Sequence, residues 1–422
     1  VRRRRHVVYV CMDRGVPVGG YKGASAHVAE LTNALVDLRC DVHIVAARST
    51  GDASSTYVQV SDLGAERSSR RSKASLSAGA KGPREQAAAT EARGIMLNET
   101  VSRTLEKIHK RRPIHAVYER YSLWNYSAVK FARAAAVPHL LEVNAPLREE
   151  QQRYRRLENP GLARTLEHYI FSNTDRLIVP SSQLKPWVVE HGCAPGRVRV
   201  IPNAADPELF ARVASSREQL EREAGTFVLG FLGSLKPWHG LDELLRAFRL
   251  LHRKDNSYRL LVVGEGPLRR ELERSARSMK IFSAVTFSGH VEHDEIPAWL
   301  ARMDVGMAPY PRLAGFYFSP LKVFEYMAAG LPVVASDTGQ IAELFTDRRN
   351  LLLHRPGAVR EIADRVETLR GKPSLSVKLA AEARRMVNRR FTWRRNAERV
   401  LDMADRVSAV AGTAARAKGK RR

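Results

Sequence analysis

The sequence predicts an α/β protein built from two doubly wound, parallel-sheet domains, and three observations carry that expectation. Short apolar runs rich in valine, isoleucine and leucine alternate with segments whose apolar residues recur at helical spacing, as in a parallel sheet covered on both faces. The alternation lapses once, near residues 211–225, and then starts again, so there are two series. The 422 residues are too many for one ordinary core and comfortable for two.

The first series opens with a strand at His6–Cys11, a glycine-rich stretch from Gly15 to Gly23, a helix over Ala24–Leu38 and a strand at Val42–Ala46. Residues 51–93 have the serine, glycine and basic composition of a mobile insertion, with one strand at Tyr57–Val60. Order resumes with a helix at Leu97–Lys110 and strands at Ala116–Glu119, His139–Val143, Arg176–Val179 and Val198–Ile201. The first domain therefore takes residues 1–210, followed by a linker at 211–225.

The second domain, residues 226–390, has strands at Phe227–Leu232, Arg259–Gly264, Val285–Ser288, Val305–Ala308 and Pro332–Ala335. Helices at Leu241–Lys254, Leu268–Met279, Ile296–Met303 and Lys322–Ala329 fall between them. Residues 391–422 read as a last helix and a basic tail.

Composition narrows the classes of function. Cys11, Cys40 and Cys193 are odd in number and widely spaced, which argues against a disulfide framework or zinc site and for a reducing cytoplasm. No run approaches the roughly 20 apolar residues that span a bilayer, so a soluble or at most peripheral protein is expected. The formal charge of +25 points toward polyanions. Much of the excess lies in Arg2–Arg5, Arg67–Lys73 and Lys418–Arg422, runs typical of solvated tails, with attraction to an anionic membrane the next reading. No basic motif with interleaved aromatics is present, so nucleic acid is not an expected partner.

Ligands of doubly wound sheets bind beyond the carboxyl ends of the strands, so the loops there are the candidates. Gly19 and Gly20 follow the first strand and let the backbone come close to a ligand, although the spacing does not match GxGxxG. The loop Gly233-Ser234-Leu235-Lys236-Pro237-Trp238-His239-Gly240 ends the first strand of the second domain. Lys236 offers a cation and His239 a donor, as a diphosphate leaving group requires. Gly264 and Gly266 close another strand, and Gly289-His290-Val291 a third, with the permissive backbone needed beside a base or ribose.

The sharpest segment runs from Gly315 to Ala335. Ser319-Pro320 has the form of an N-cap followed by proline at the first helical position. A helix starting there aims the free amides of Ser319 to Lys322 at a phosphate. Glu325, just over one turn further, can accept both hydroxyls of a ribose.

These segments resemble the family 4 glycosyltransferases of the GT-B fold, retaining enzymes that use nucleotide sugars. The resemblance covers nearly the whole chain apart from the insertion and tails. Ile201–Asp206 with Phe210 is similar to the end of the family's first domain, and Phe391-Thr392-Trp393 to the start of the helix that crosses back onto it. Glu325 resembles the second member of the family's paired glutamates, while the first falls at Tyr317. The usual arginine and lysine of the phosphate loop fall near Ser234 and His239, with Lys236 offset by two positions, and a histidine common after the strand at 139–143 is Asn144. A subset of the family shares the Pro-Trp-His-Gly loop and the Phe-Ser-Pro-Leu-Lys segment, so these departures do not imply inactivity.

The resemblance implies a donor site on the second domain at Gly233, Ser234, Gly264, Gly266, His290, Val291, Tyr317, Ser319, Pro320, Leu321, Lys322 and Glu325, with Lys236, His239 and Glu325 serving catalysis. It implies an acceptor side on the first domain near Gly19, Gly20, His27, Glu119, Arg120 and Asn144. The expected reaction retains anomeric configuration without a required metal or cofactor, and no Asp-x-Asp motif is present. UDP is expected ahead of GDP, ADP or dTDP on the donor, and the acceptor is a glycan, lipid or small molecule. The expected location is cytoplasmic, peripheral at the membrane inner face at most. The alternatives are an epimerase or phosphorylase of the same fold, or a weakly catalytic sugar-nucleotide-binding subunit, the last suggested by Tyr317 and Asn144.

Overall fold

The computed structural model describes residues 4–20, 23–50, 58–64, 82–218, 220 and 225–419. They divide into two compact units, one within residues 1–20, 24–202 and 394–422, the other within 21–23 and 203–393.

The first unit runs β1 (Arg5–Cys11), α1 (Gly23–Asp37), β2 (Cys40–Ala46), β3 (Val58–Asp62), α2 (Pro83–Arg111), β4 (Ala116–Arg120) and α3 (Ser127–Ala134). It continues with β5 (His139–Glu142), α4 (Leu147–Tyr154), α5 (Pro160–Asn173), β6 (Arg176–Val179), α6 (Leu184–Glu190) and β7 (Val198–Val200). The strands form one parallel sheet in the order β3-β2-β1-β4-β5-β6-β7. Val8, Val10, Val45 and Val117 face α2 and α3, where Leu97, Val101, Leu105 and Phe131 complete the core. Alternation of side chains across each strand buries the other face as well, which is why Val7 to Val10 form an unbroken apolar run.

Two expectations about boundaries need correction. Helix α2 begins at Pro83 rather than Leu97, so residues 83–93 are not part of a mobile insertion. Their low hydropathy suggests a linker, but alanine and glutamate favour helix, and proline is suited to its first turn. The segment is also held: buried Glu91 accepts from the backbone amides of Glu158 and Asn159 at 2.7 and 3.1 Å. Residues 58–64 of the expected insertion hold strand β3, paired with β2, where Tyr57–Val60 was expected, while residues 51–57 and 65–81 lie outside the described residues.

The expected linker is likewise mostly helix, α7 (Pro207–Glu218). Phe210 and Val213, three residues apart on one face, enter the core of the second unit, which therefore starts near Asn203.

The second unit continues β8 (Phe227–Leu232), α8 (Leu241–Lys254), β9 (Tyr258–Val263), α9 (Arg269–Ser278), β10 (Val285–Gly289), α10 (Ile296–Ala301), β11 (Val305–Ala308) and α11 (Leu321–Ala328). After these come β12 (Val333–Ser336), α12 (Gly339–Leu344), β13 (Leu352–His354), α13 (Val359–Gly371) and α14 (Pro373–Arg390). Its parallel sheet has the order β10-β9-β8-β11-β12-β13. Leu229, Phe231, Leu260 and Val262 pack on one face with Phe248 of α8 and Val366 of α13. Leu232, Leu261 and Val263 pack on the other with Val323 of α11 and Val387 of α14.

The last helix, α15 (Trp393–Gly419), belongs from Arg394 onward to the first unit. Asp405 pairs with Arg5 at 2.7 Å and His115 at 3.0 Å, and Asn396 donates to the Pro202 carbonyl at 2.9 Å. No described helix is long and apolar enough to cross a membrane.

Strand order reverses between β1 and β4 and again between β8 and β11. Crossovers leave these points in opposite directions, opening a crevice at the carboxyl ends of the strands. Gly240, at the start of α8, sits tightly beside the second of them: its φ is +70°, and an added Cβ would fall 1.6 Å from the Pro309 carbonyl oxygen after β11. Gly240→Ala should therefore destabilise the protein by about 2 kcal/mol or more, lowering Tm by several degrees in thermal denaturation.

Candidate functional site

At the reversal point of the second unit, the first turn of α11 and the loop after β8 bring a lysine into an aromatic enclosure. Lys322 is 7% exposed, with Nζ 3.9 Å from the centroid of Phe231 and 5.5 Å from that of Tyr310. Its ammonium has no hydrogen-bond partner among the described residues. Burial pushes the Lys322 pKa down to about 7, a fall that the Glu325 carboxylate on the same helix partly opposes. Gly233 makes room for it: its φ is +134°, and an added Cβ would stand 3.2 Å from Nζ. A desolvated cation flanked by ring faces is held ready for an anion.

The surrounding loop adds two further groups. Lys236 lies over the Trp238 ring at 5.7 Å. His239 sits among Phe231, Trp238 and Tyr310, and burial, followed by the charge of Lys322, holds its pKa well below 6.5. Its Nδ1 meets the Ser234 carbonyl, which can only accept, so Nδ1 carries the proton of the neutral ring. Nε2 then presents a lone pair. His239 thus donates to a phosphate through Nε2 only after taking up a second proton.

Helix α11 begins at Leu321 with Pro320 as its N-cap, one residue later than the expected Ser319 cap. Proline has no N–H, so the amides left without an intrahelical partner at its first turn are those of Leu321 and Lys322. The Ser319 hydroxyl instead accepts from the Asn203 amide at 2.9 Å, and the Ser319 carbonyl from the Asn203 side chain at 2.7 Å. Asn203 thereby pins the turn that enters the helix. Glu325 is buried on α11, and the Tyr317 ring lies 4.5 Å from that of Phe318.

The other expected donor residues occupy neighbouring strand ends. A Cβ on Gly264 would fall 2.2 Å from the Gly233 carbonyl oxygen, and one on Gly266 2.6 Å from the Leu235 backbone. These two glycines let the loops after β8 and β9 pack together, with Leu235 donating to the Glu265 carbonyl at 3.0 Å. His290 is exposed and pairs with Glu292 at 2.8 Å, while Val291 packs partly buried against the core.

A second polar cluster occupies the reversal point of the first unit. Cys11, Arg120 and Glu142 stand side by side at the ends of β1, β4 and β5, with Tyr9 and Tyr118 one step back on the same face. His27 of α1 approaches Glu142 Oε1 at 2.9 Å, and Arg120 approaches Oε2 at 3.6 Å. Burial alone would raise the Glu142 pKa; His27, with Arg120 and Asn144 adding to it, overrides that and pulls it down to about 2. Gly20 turns the chain close to α1, where an added Cβ would be 3.0 Å from the Ser25 hydroxyl, and Gly19 precedes it with φ +76°. Glu119 is not brought to this cluster. It faces the other side of the sheet, bound to His139 at 2.9 Å and Asn125 at 2.6 Å.

Two family models match the chain: Glycosyltransferase Family 4 over residues 21–209 and Glycosyl transferases group 1 over residues 226–371. The chain belongs to the family 4 glycosyltransferases of the GT-B fold. It is 29% identical over 192 residues to the 2-deoxystreptamine glucosyltransferase of Streptomyces kanamyceticus, covering 44% of this chain and 48% of that protein. It is 28% identical over 249 residues to a GDP-mannose-dependent alpha-(1-6)-phosphatidylinositol monomannoside mannosyltransferase of Mycobacterium tuberculosis, covering 57% and 64%. The matches thus span about half to two thirds of these relatives.

Solved structures with the same fold include sucrose-phosphate synthase from Thermosynechococcus elongatus, with a TM-score of 0.70 and 20% identity over 96% of this chain and all of that one. HepE from Anabaena, in complex with UDP and glucose, has a TM-score of 0.67 and 18% identity over 94% and 99%.

Within this family 4 chain, sequence reasoning reached the helix α11 and both glycine loops but valued Lys322 for its amide, not its ammonium. It passed over Phe231, Tyr310, Tyr9 and Glu142. The signal for Glu142 was a carboxylate ending the otherwise apolar run Leu140-Leu141 in a strand expected to be buried.

The Lys322 titration has a testable sign. Between about pH 7 and the unfolded value near 10.5, the unfolded chain binds the proton that the folded chain has lost, so folding gains stability as pH rises. Lys322→Met should therefore be more stable than the parent at pH 7 and below. That advantage should shrink steadily toward pH 10 in urea denaturation.

Proposed function

We propose that this protein transfers a glycosyl group from a nucleoside diphosphate sugar to a hydroxyl acceptor, with retention of configuration and without a metal ion. The observation that carries this reading is the buried, hydrogen-bond-deficient ammonium of Lys322 at the first turn of α11. Together with the Leu321 and Lys322 amides and Lys236, it supplies the countercharge a diphosphate needs, the task a divalent cation performs elsewhere. Glu325 accepts the ribose hydroxyls, and the paired loops of Gly233, Gly264 and Gly266 leave backbone open to the base. UDP is the first choice of nucleotide, in keeping with the UDP-bound HepE of the same fold. The mannosyltransferase relative is named as GDP-mannose-dependent, so GDP is the comparison to run.

In the proposed step the acceptor oxygen bonds to the anomeric carbon on the face from which the diphosphate departs. The sugar–phosphate C–O bond breaks, and the acceptor proton passes to the leaving phosphate oxygen. Lys236 and Lys322 stabilise the charge that accumulates there, with the neutral His239 ring packed beside them. These interactions strengthen as charge develops, so they act on turnover more than on affinity.

The reading is tested by incubating the protein with UDP- and GDP-sugars and an acceptor panel, with product configuration read by NMR. Retained glycoside supports it; sugar interconversion without acceptor would indicate an epimerase, and binding without turnover a non-catalytic subunit. Lys236→Ala should lower turnover about 100-fold or more, and His239→Ala in the same direction, with effects that do not add in the double variant. Glu325→Ala should weaken nucleotide binding while leaving the fold intact. At pH 8, UDP binding should also take up close to one proton at Lys322, visible as a dependence of the calorimetric enthalpy on buffer ionisation that fades by pH 6.

A further inference from the structure

The solvent side of one helical layer in the second unit carries unbalanced positive charge. Helices α8 and α9 are the crossovers of consecutive parallel strands, so they lie side by side on one face of the sheet. Leu244 and Phe248 of α8 share a core there with Leu272 and Ala276 of α9. The opposite sides of both helices then point together into water. On α9, Arg270, Arg274 and Arg277 follow one another at i, i+4 and i+7, and on α8, Arg249 and Arg253 at i and i+4, all of them exposed. Lys280, just past the end of α9, is exposed as well. None of these six cations makes an ion pair among the described residues.

The carboxylates of this layer are engaged elsewhere. Asp242 and Glu243 approach Arg246, Glu265 and Glu273 hold Arg269, and Asp255 meets Arg370 at 2.9 Å. Glu271 is left to oppose the six cations. The basic area also has a boundary: beyond α8, helix α13 carries Asp364 and Glu367, and Glu367 draws Lys254 to itself at 2.6 Å. Two apolar side chains stand among the cations. Leu250, between Arg249 and Arg253 in the chain, is 44% exposed, and Phe282, two residues after Lys280, is 36% exposed. The Arg277 guanidinium lies over the Phe282 ring at 4.0 Å.

This chemistry narrows the partner. Cations spread over one layer repel each other and gain most from an extended surface of negative charge. The face is the outside of two packed helices, a layer rather than a cleft, so it fits such a surface better than a single phosphate. Single-stranded nucleic acid is gripped by rings left open for bases to stack on, whereas one face of the Phe282 ring is covered by Arg277. A membrane interface uses both kinds of side chain at once: guanidinium groups meet lipid phosphates while leucine and phenylalanine enter the acyl boundary. Arg277 can reach up to a phosphate and uncover the ring as it does so. We propose that the α8–α9 face is a docking surface for an anionic phospholipid membrane, held by Arg249, Arg253, Arg270, Arg274 and Arg277 and seated by Leu250 and Phe282. Lys322 belongs to α11, which packs on the other face of the sheet, so docking here is independent of the transferase reading.

The test is co-sedimentation of the full chain with vesicles, one set of phosphatidylcholine alone and one of equal parts phosphatidylcholine and phosphatidylglycerol. The parent protein should bind the anionic set about 10-fold more tightly or better, and salt at about 0.5 M should release most of it. The triple variant Arg270→Gln, Arg274→Gln, Arg277→Gln should weaken that binding about 10-fold or more with an unchanged Tm. The pair Arg249→Gln, Arg253→Gln, on the other helix, should act in the same direction, and it decides the matter if the triple variant does not fold. Phe282→Ala should weaken binding with its salt dependence unchanged, because the ring carries no charge. Neutralising the terminal run by Lys418→Gln, Lys420→Gln, Arg421→Gln and Arg422→Gln should cost far less than the triple variant. The proposal is overturned if anionic vesicles bind no more tightly than neutral ones, if the arginine variants bind as the parent does, or if the terminal variant loses as much as the triple one. It is also overturned if double-stranded DNA at equal phosphate concentration strips the protein from the vesicles.

Discussion

A parallel strand cannot turn directly into its neighbour; the chain must cross over one face of the sheet before the next strand can start. Helices consequently cover both faces, and the strands become continuous apolar runs such as Val7 to Val10 and Leu260 to Val263, each fully enclosed. Polar side chains are then confined to the strand ends. Where the order reverses, between β1 and β4 and between β8 and β11, the crossovers part and those ends stay open to a ligand. Both polar clusters depend on this constraint: Lys322 and His239 in one unit, Arg120 and Glu142 in the other.

The two reversal points treat charge in opposite ways. In the second unit an ammonium is buried against Phe231 and Tyr310 with its nearest carboxylate, Glu325, a turn away, so its charge is poorly compensated and its pKa falls to about 7. In the first unit a carboxylate is buried with His27 and Arg120 at hand, so its charge is kept and its pKa falls to about 2. Desolvation acts against the charged form in both cases, and the neighbours decide the outcome. An undercompensated cation suits an anion, whereas a compensated pair holds its charges against each other.

Much of this was legible in the sequence because period and punctuation report directly on backbone geometry. Most strands of both sheets could be read from short apolar runs, and the Phe-Ser-Pro-Leu-Lys-Val-Phe-Glu segment marked α11 to within a residue or two. What escaped was set by tertiary packing. The first turns of α2 are polar and resemble a linker until Glu91 is seen capping the Glu158 and Asn159 amides. Strand β13, only three residues long, has too few residues to show a pattern. Glu119 and Glu142 stand on neighbouring strands and look alike in sequence, yet their side chains leave the sheet on opposite faces. Only the register, Arg120 opposite Glu142, tells which one joins His27. Contacts with Phe231 and Tyr310, 91 and 12 residues before Lys322 in the chain, leave no local trace at all.

The departures from the family's pattern take on a physical meaning in this light. The expected phosphate loop carries two cations, and here the loop after β8 keeps one of them, Lys236, while the other positions hold Ser234 and a neutral His239. On the proposed reading, Lys322 supplies the second cation from the helix rather than from the loop. A loop lysine is solvated and charged whether or not a ligand is present, so part of its attraction is spent against water. A lysine enclosed by aromatic rings has already lost that water, and its charge, once restored by an incoming anion, acts through a medium of low polarity where the same Coulomb interaction is stronger. The cost appears in the resting protein, as the lowered pKa. On the proposed reading, relocating one cation to the buried first turn of α11 trades standing charge for charge that appears with the diphosphate, and Gly233, with no side chain to occupy the space beside Nζ, is the residue that permits it.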